Sequence, residues 1–132
     1  MLFRSSYTNT KAEAGVTYYY KVVAVAKKAQ CDSVASAVKS RTCDLPQPKI
    51  TGTVKKSGDP KLTWQKVDGA VAYKVYRATG NGSYKLMYTT SNTTYTNTNN
   101  KAGTTYRYYV VAVAENTWGN SAASNTVKLT AK

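Results

Sequence analysis

Twenty residues near the start of the chain recur almost letter for letter near its end. Tyr7 to Ala26 reads YTNTKAEAGVTYYYKVVAVA and Tyr95 to Ala114 reads YTNTNNKAGTTYRYYVVAVA, at a constant offset of 88 with no gap and 14 of 20 positions identical. Self-similarity at a fixed period marks one structural unit used twice. Two units of 88 do not fit into 132 residues. The sequence therefore divides into the second half of one unit, residues 1–46, and a whole unit, residues 47–132. A chain divided this way reads as an excerpt from a longer tandem array. On that reading the lack of a charged, then apolar, leader after Met1 carries no message about export.

Tyr, Thr and Val are abundant and Leu is scarce, residue types that suit a pleated, half-buried surface. Pro46 and Pro48 make a short stiff linker that sets off the whole unit, and 49–56 is its first predicted strand. Ser57 to Pro60 turns. Lys61 to Lys66 alternates, with Leu62 and Trp64 on one face and Lys61, Thr63 and Gln65 on the other, the mark of a half-buried strand. Ala72 to Thr79 is a third strand, Gly80-Asn81-Gly82 a hairpin turn, and Ser83 to Thr90 returns. Thr93 to Thr98 is short. In Thr104 to Ala114, Tyr106, Tyr108, Val110 and Ala112 share one face, while Arg107, Tyr109, Val111 and Val113 share the other. Residues 121–130 give a final strand. Seven short strands with no helical period predict an all-β, antiparallel two-sheet sandwich. Three such strands, the fifth to the seventh, are expected within residues 1–46.

These residues carry a family resemblance. Leu62-x-Trp64 on the second strand, Tyr73-x-Val75 on the third, and Gly103-Thr-x-Tyr106-x-x-x-Val110-x-Ala112 on the sixth resemble a fibronectin type III module, completely over 47–131 and in its last strands over 5–44. The spellings Tyr-Lys-Val-Tyr-Arg and Tyr-Arg-Tyr-Tyr-Val-Val-Ala-Val look like the branch found in exported multidomain proteins of Gram-positive bacteria. The resemblance implies that Trp64 centres the core, beside Leu62, Tyr73, Val75, Tyr108 and Val110. It also implies that Tyr106 forms a tyrosine corner, its hydroxyl bonded to backbone near the preceding turn, and that Tyr18 repeats that role. The integrin-binding Arg-Gly-Asp of some members is absent; the corresponding loop is Thr117-Trp118-Gly119-Asn120.

Little in the chain suggests catalysis. It has no histidine, which removes the commonest general base and the usual catalytic zinc ligand. Two cysteines do not make a four-ligand metal cage. None of the six carboxylates is spaced to pair with another, as glycoside hydrolysis needs, and no glycine loop between strand and helix cradles phosphate. No enzyme activity, catalytic residue, metal or cofactor is expected. If residues 33–42 form one extended strand, Cys31 and Cys43 sit roughly 34 Å apart at about 3.4 Å per residue. A disulfide needs Cα atoms within about 7 Å, so both thiols are expected free or intermolecular.

Net charge is +13, from 19 basic and 6 acidic residues, a balance that favours polyanionic neighbours. With Tyr73 and Val75 facing in, Lys74 and Tyr76 face out, as do Arg107 and Tyr109. Tyrosines beside cations can stack on sugar rings while the cations meet phosphate or carboxylate; cross-strand sheet stabilisation is the plainer reading. Trp118 on its loop is the best single anchor for a partner, or else packs on the neighbouring unit. The expected function is a non-catalytic spacer and interaction module of an extracellular or wall-associated bacterial protein, its partners the adjacent domains. The alternative is a binder of wall glycan or anionic wall polymer. Nucleic acid binding rests on charge alone and is not expected, and no run of 18 or more apolar residues spans a membrane. The inner face of the half unit, Tyr18, Tyr20, Val22 and Ala24, lacks an opposite sheet in its own copy. Pairing with a second chain, giving a homodimer, or docking on the whole unit would cover it.

Overall fold

The computed structural model describes residues 5–132. Its strands are β1 (Thr17–Tyr20), β2 (Lys39–Thr42), β3 (Ile50–Val54), β4 (Pro60–Trp64), β5 (Ala72–Thr79), β6 (Lys85–Thr90), β7 (Thr94–Thr96), β8 (Thr105–Val113) and β9 (Val127–Thr130), with 3₁₀ turns at Ala29–Cys31 and Thr117–Gly119. The last seven strands form two antiparallel sheets, ordered β3-β4-β7 and β6-β5-β8-β9. The sandwich is therefore the all-β fold that the alternation predicts. Among the described residues no helix is long and apolar enough to cross a membrane.

The core lies between these sheets. β4 contributes Leu62 and Trp64, β5 contributes Tyr73 and Val75, and β8 buries every second residue from Tyr106 to Ala112. Side chains alternate faces along a strand, so the period-2 pattern converts directly into this buried set. β3 and β9 approach edge to edge, so closely that a Cβ on Gly52 would fall 2.5 Å from Val127 Cγ1 and 2.9 Å from Leu129 Cδ1. Any side chain at Gly52 would push β9 away from the core.

The sequence repeat is also a repeat of geometry. The Glu13 amide donates to Tyr18 Oη as the Lys101 amide does to Tyr106 Oη. Asn9 Nδ2 donates to Tyr20 Oη as Asn97 Nδ2 does to Tyr108 Oη. Thr17 and Thr42 share a hydroxyl hydrogen bond, as Thr105 and Thr130 do. β1 pairs with β2 as β8 pairs with β9, Tyr18 opposite Arg41 and Tyr106 opposite Leu129.

Two strand expectations are corrected. The final strand is regular only over Val127–Thr130, not over 121–130, and its counterpart only over Lys39–Thr42, not over 33–42. The upstream stretch instead bonds β8 through serines. The Ala112 amide donates to Ser121 Oγ and the Val110 amide to Ser124 Oγ, while the Ser121 and Ser124 amides donate to the Ala112 and Val110 carbonyls. Three residues on one side thus answer two on the other, which no regular ladder allows. Ser33 and Ser36 do the same with Ala24 and Val22. The second correction concerns the fifth strand of the N-terminal repeat. β7 exists because Thr94–Thr96 pairs with β4; Tyr7–Asn9 has no such partner and is not a strand. Cys31 and Cys43 are both free thiols.

The two repeats meet through hydrogen bonds to backbone carbonyls. The Leu45 amide donates to the Gly119 carbonyl at 2.8 Å, and Asn116 Nδ2 donates to the Gly15 carbonyl at 3.2 Å. A Cβ on Gly119 would lie 2.1 Å from the Gly15 nitrogen, so only glycine permits this approach.

Candidate functional site

The outward face of the β6-β5-β8-β9 sheet gathers the aromatic and basic side chains. Tyr76 on β5 lies opposite Tyr109 on β8, and their rings stack at 4.7 Å with an interplanar angle of 16°. Tyr84, just ahead of β6, closes the group at 4.7 Å from Tyr109, tilted by 59°. Burial and the neighbouring phenols of Tyr76 and Tyr84 hold the Tyr109 hydroxyl above its ordinary pKa. Lys74 is next along the same face, opposite Val111.

Arg107 is on this face but is committed elsewhere. Its Nε donates to the Gly80 carbonyl at 2.8 Å and its Nη2 to the Gly82 carbonyl at 2.9 Å. Its guanidinium also sits over the Tyr84 ring at 5.2 Å. These contacts brace the β5–β6 hairpin. A fork so engaged keeps little capacity for a bidentate anion. Tyr84, absent from the sequence-based set, is signalled in the sequence only by its place two residues after the Gly80-Asn81-Gly82 turn.

Trp118 is not part of this cluster. It lies beyond the end of β8 on the turn that meets the N-terminal repeat, and its side chain is 80% exposed. The backbone of its loop docks on Gly15, while the indole faces solvent.

The residues assigned to the interior occupy it. Leu62, Trp64, Tyr73, Val75, Tyr106, Tyr108 and Val110 are all buried. Tyr18 is half-buried, as its face has no second sheet. Trp64 packs edge-on to Tyr73 at 5.4 Å, and the Val67 amide donates to Tyr73 Oη at 2.8 Å. Sequence reasoning missed the polar chain beneath β8. Arg77 donates to Asn97 Oδ1 at 3.0 Å and lies over the Tyr106 ring at 4.9 Å, while Asn97 donates to Tyr108.

The buried phenols set two expectations. Tyr106→Phe strands the Lys101 amide that its hydroxyl accepts at 2.9 Å, and is expected to cost about 1–3 kcal/mol in chemical denaturation. Desolvation pushes the Tyr108 hydroxyl up to about 12 against an ordinary value of 10. Between those values the unfolded chain releases this proton and the folded chain keeps it. This contribution to stability is thus complete below pH 10 and is lost as pH rises toward 12. Alkaline unfolding followed by tyrosinate absorbance should show the Tyr108 phenol ionising only with unfolding.

Among the described residues no group of three or more His, Cys, Asp or Glu side chains is placed to hold a metal. The family model for the C-terminal domain of GH85 endohexosaminidases matches residues 51–129, more than half of the chain. The chain belongs to this family. In three dimensions the domain is similar to an Fn3-like protein from Clostridium thermocellum, at 31% identity and a TM-score of 0.55 over 66% of this chain and 91% of that one. It is also similar to the sixth fibronectin type III domain of human fibronectin type III domain containing protein 3, at 18% identity and a TM-score of 0.59, over 69% and 89% of the two chains. Pectate lyase PelI from Erwinia chrysanthemi shares the fold over 28% of its length, at 23% identity and a TM-score of 0.55 over 63% of this chain. Together these place the GH85 C-terminal domain in a fibronectin type III-like sandwich. A comparison with curated proteins gives no match.

Proposed function

We propose that this chain is a non-catalytic module of a larger, exported bacterial protein that acts on carbohydrate, and that it holds neighbouring domains at a fixed distance in the wall or outside the cell. The match of residues 51–129 to the appended domain of endohexosaminidases carries this reading. The junction supports it: Gly15, Leu45, Asn116 and Gly119 lock one repeat against the next by direct hydrogen bonds. Pro46 and Pro48 stiffen the segment that follows. The identity to the Clostridium protein supports the bacterial origin.

The test uses the 132-residue chain against N-linked glycans, chitin oligosaccharides and purified Gram-positive wall. A spacer neither hydrolyses nor is retained by any of them. Hydrolysis of any of these substrates would sink the non-catalytic reading.

The stacked pair Tyr76 and Tyr109, flanked by Tyr84 and Lys74 on an open sheet face, favours a second reading as a binder of glycan or anionic wall polymer. Retention on wall that falls with salt and is abolished in Tyr109→Ala would establish it in place of the spacer.

A further inference from the structure

Among the described residues, nothing covers the inner face of the N-terminal repeat. In the complete domain Val110 and Ala112 are wholly buried, whereas Val22, at the position of Val110, is 69% exposed and Ala24 is also exposed. Tyr7, Tyr18, Tyr20 and Val22 line a trough of about 920 Å³ along this face. Asn9 already holds Tyr20 as Asn97 holds Tyr108. Among the described residues one edge has no strand beside it as well. The amides of Val22, Ala24 and Ala26 bond to Ser36, Ser33 and Asp32. Backbone groups alternate sides along a strand, so the amides of Lys21, Val23 and Val25 point to the opposite edge. That is the edge β5 occupies on β8, with Tyr73 opposite Ala112 and Val75 opposite Val110.

We infer that this face and edge are a docking site for a polypeptide with the chemistry of residues 47–94, supplied from outside these 132 residues. The complete domain identifies the occupant, because it shows what covers the same side chains. A Tyr-x-Val-Tyr-Arg strand adds beside Lys21–Val25, and a Leu-x-Trp strand closes over Tyr18 and Tyr20. Main-chain bonds along the edge give affinity, and alternate side chains give specificity. A count of elements places the source outside. Each chain carries the covering strands once and the strands that need covering twice. Exchange between copies therefore leaves one face open per chain whatever the number of copies.

The face also differs from its template at one border. Lys39 and Arg41 lie opposite Tyr20 and Tyr18, where Val127 and Leu129 lie opposite Tyr108 and Tyr106. The border that faces the occupant's first strand is therefore basic where the template's is apolar.

The test titrates a separately produced fragment, residues 47–94, into the full chain and follows amide exchange. At a fragment concentration of roughly 100 times Kd, exchange at Lys21, Val23 and Val25 should slow by about 100-fold. Val23→Pro, which removes one edge donor, should abolish the protection. Because the fragment can fail to stay soluble, a second arm joins residues 47–94 directly ahead of Tyr7 in one chain. Protection of Lys21, Val23 and Val25 there, matching that of Tyr109, Val111 and Val113, supports the inference. Unprotected amides in the joined chain overturn it. So does a concentration-dependent dimer of the unmodified chain in which these amides are already protected, since a second copy is then the occupant.

Discussion

Trp64→Ala is expected to lower stability by about 3–5 kcal/mol, as deletion of a large core side chain does. Trp64 ends β4 with 7% of its surface exposed, and its ring meets the edge of Tyr73. Removing it opens a cavity between the two sheets at the point where β4 also bonds Thr93. A loss of that size is a large share of the roughly 5–15 kcal/mol that holds a domain folded. The indole Nε1 is buried without a hydrogen-bond partner, so Trp64→Phe forfeits no polar contact and is expected to cost much less. Denaturation followed by circular dichroism decides the matter, and a Trp118→Phe background removes the exposed indole from any fluorescence signal. A loss below about 1 kcal/mol for Trp64→Ala would mean that the sandwich does not close around this residue.

Trp64 was legible because its environment is written locally. Leu62 and Trp64 alternate with Lys61, Thr63 and Gln65, and alternation is what a strand with one buried face requires. β8 was legible for the same reason, from Tyr106 to Ala112. The features that escaped depend on partners far apart in sequence. Tyr7–Asn9 matches Tyr95–Asn97 letter for letter, yet only the second copy meets a β4 and becomes part of a strand. Identity of sequence did not carry identity of structure, because a strand exists only in its pairing. Arg107 reads as an outward cation, and only the fold brings the Gly80 and Gly82 carbonyls to its guanidinium. The serine bridges do leave a signal in the sequence. Ser33 and Ser36 recur at the same offset as Ser121 and Ser124, so the repeat runs on past Ala26, and a three-residue spacing argues against a plain strand there. Tyr84 reaches Tyr109, and Arg77 reaches Asn97 and Tyr108, only once the sheets have formed.

Asn97→Ala is expected to cost about 2–4 kcal/mol, a large loss for so small a polar side chain. Asn97 is 1% exposed and works in two directions. Its Nδ2 donates to Tyr108 Oη at 2.8 Å, and its Oδ1 accepts from Arg77 Nη1 at 3.0 Å. Alanine removes both contacts and leaves a phenol hydroxyl in a fully buried residue with no donor. Arg77 keeps the Tyr106 ring and one hydrogen bond, to the Asn99 carbonyl at 2.9 Å. Each stranded buried group costs about 1–3 kcal/mol, more when it is charged. Coupling provides a check on the mechanism: in a Tyr108→Phe background the hydroxyl is already gone, so Asn97→Ala should cost clearly less than it does alone. The N-terminal repeat supplies a control within the same chain. Asn9 makes the matching bond to Tyr20 at 3.1 Å, but Tyr20 is only half-buried and water can replace the donor. Asn9→Ala is therefore expected to stay within about 0.5 kcal/mol, the usual range for exposed positions. Equal losses at Asn9 and Asn97 would show that burial does not set the cost of this bond.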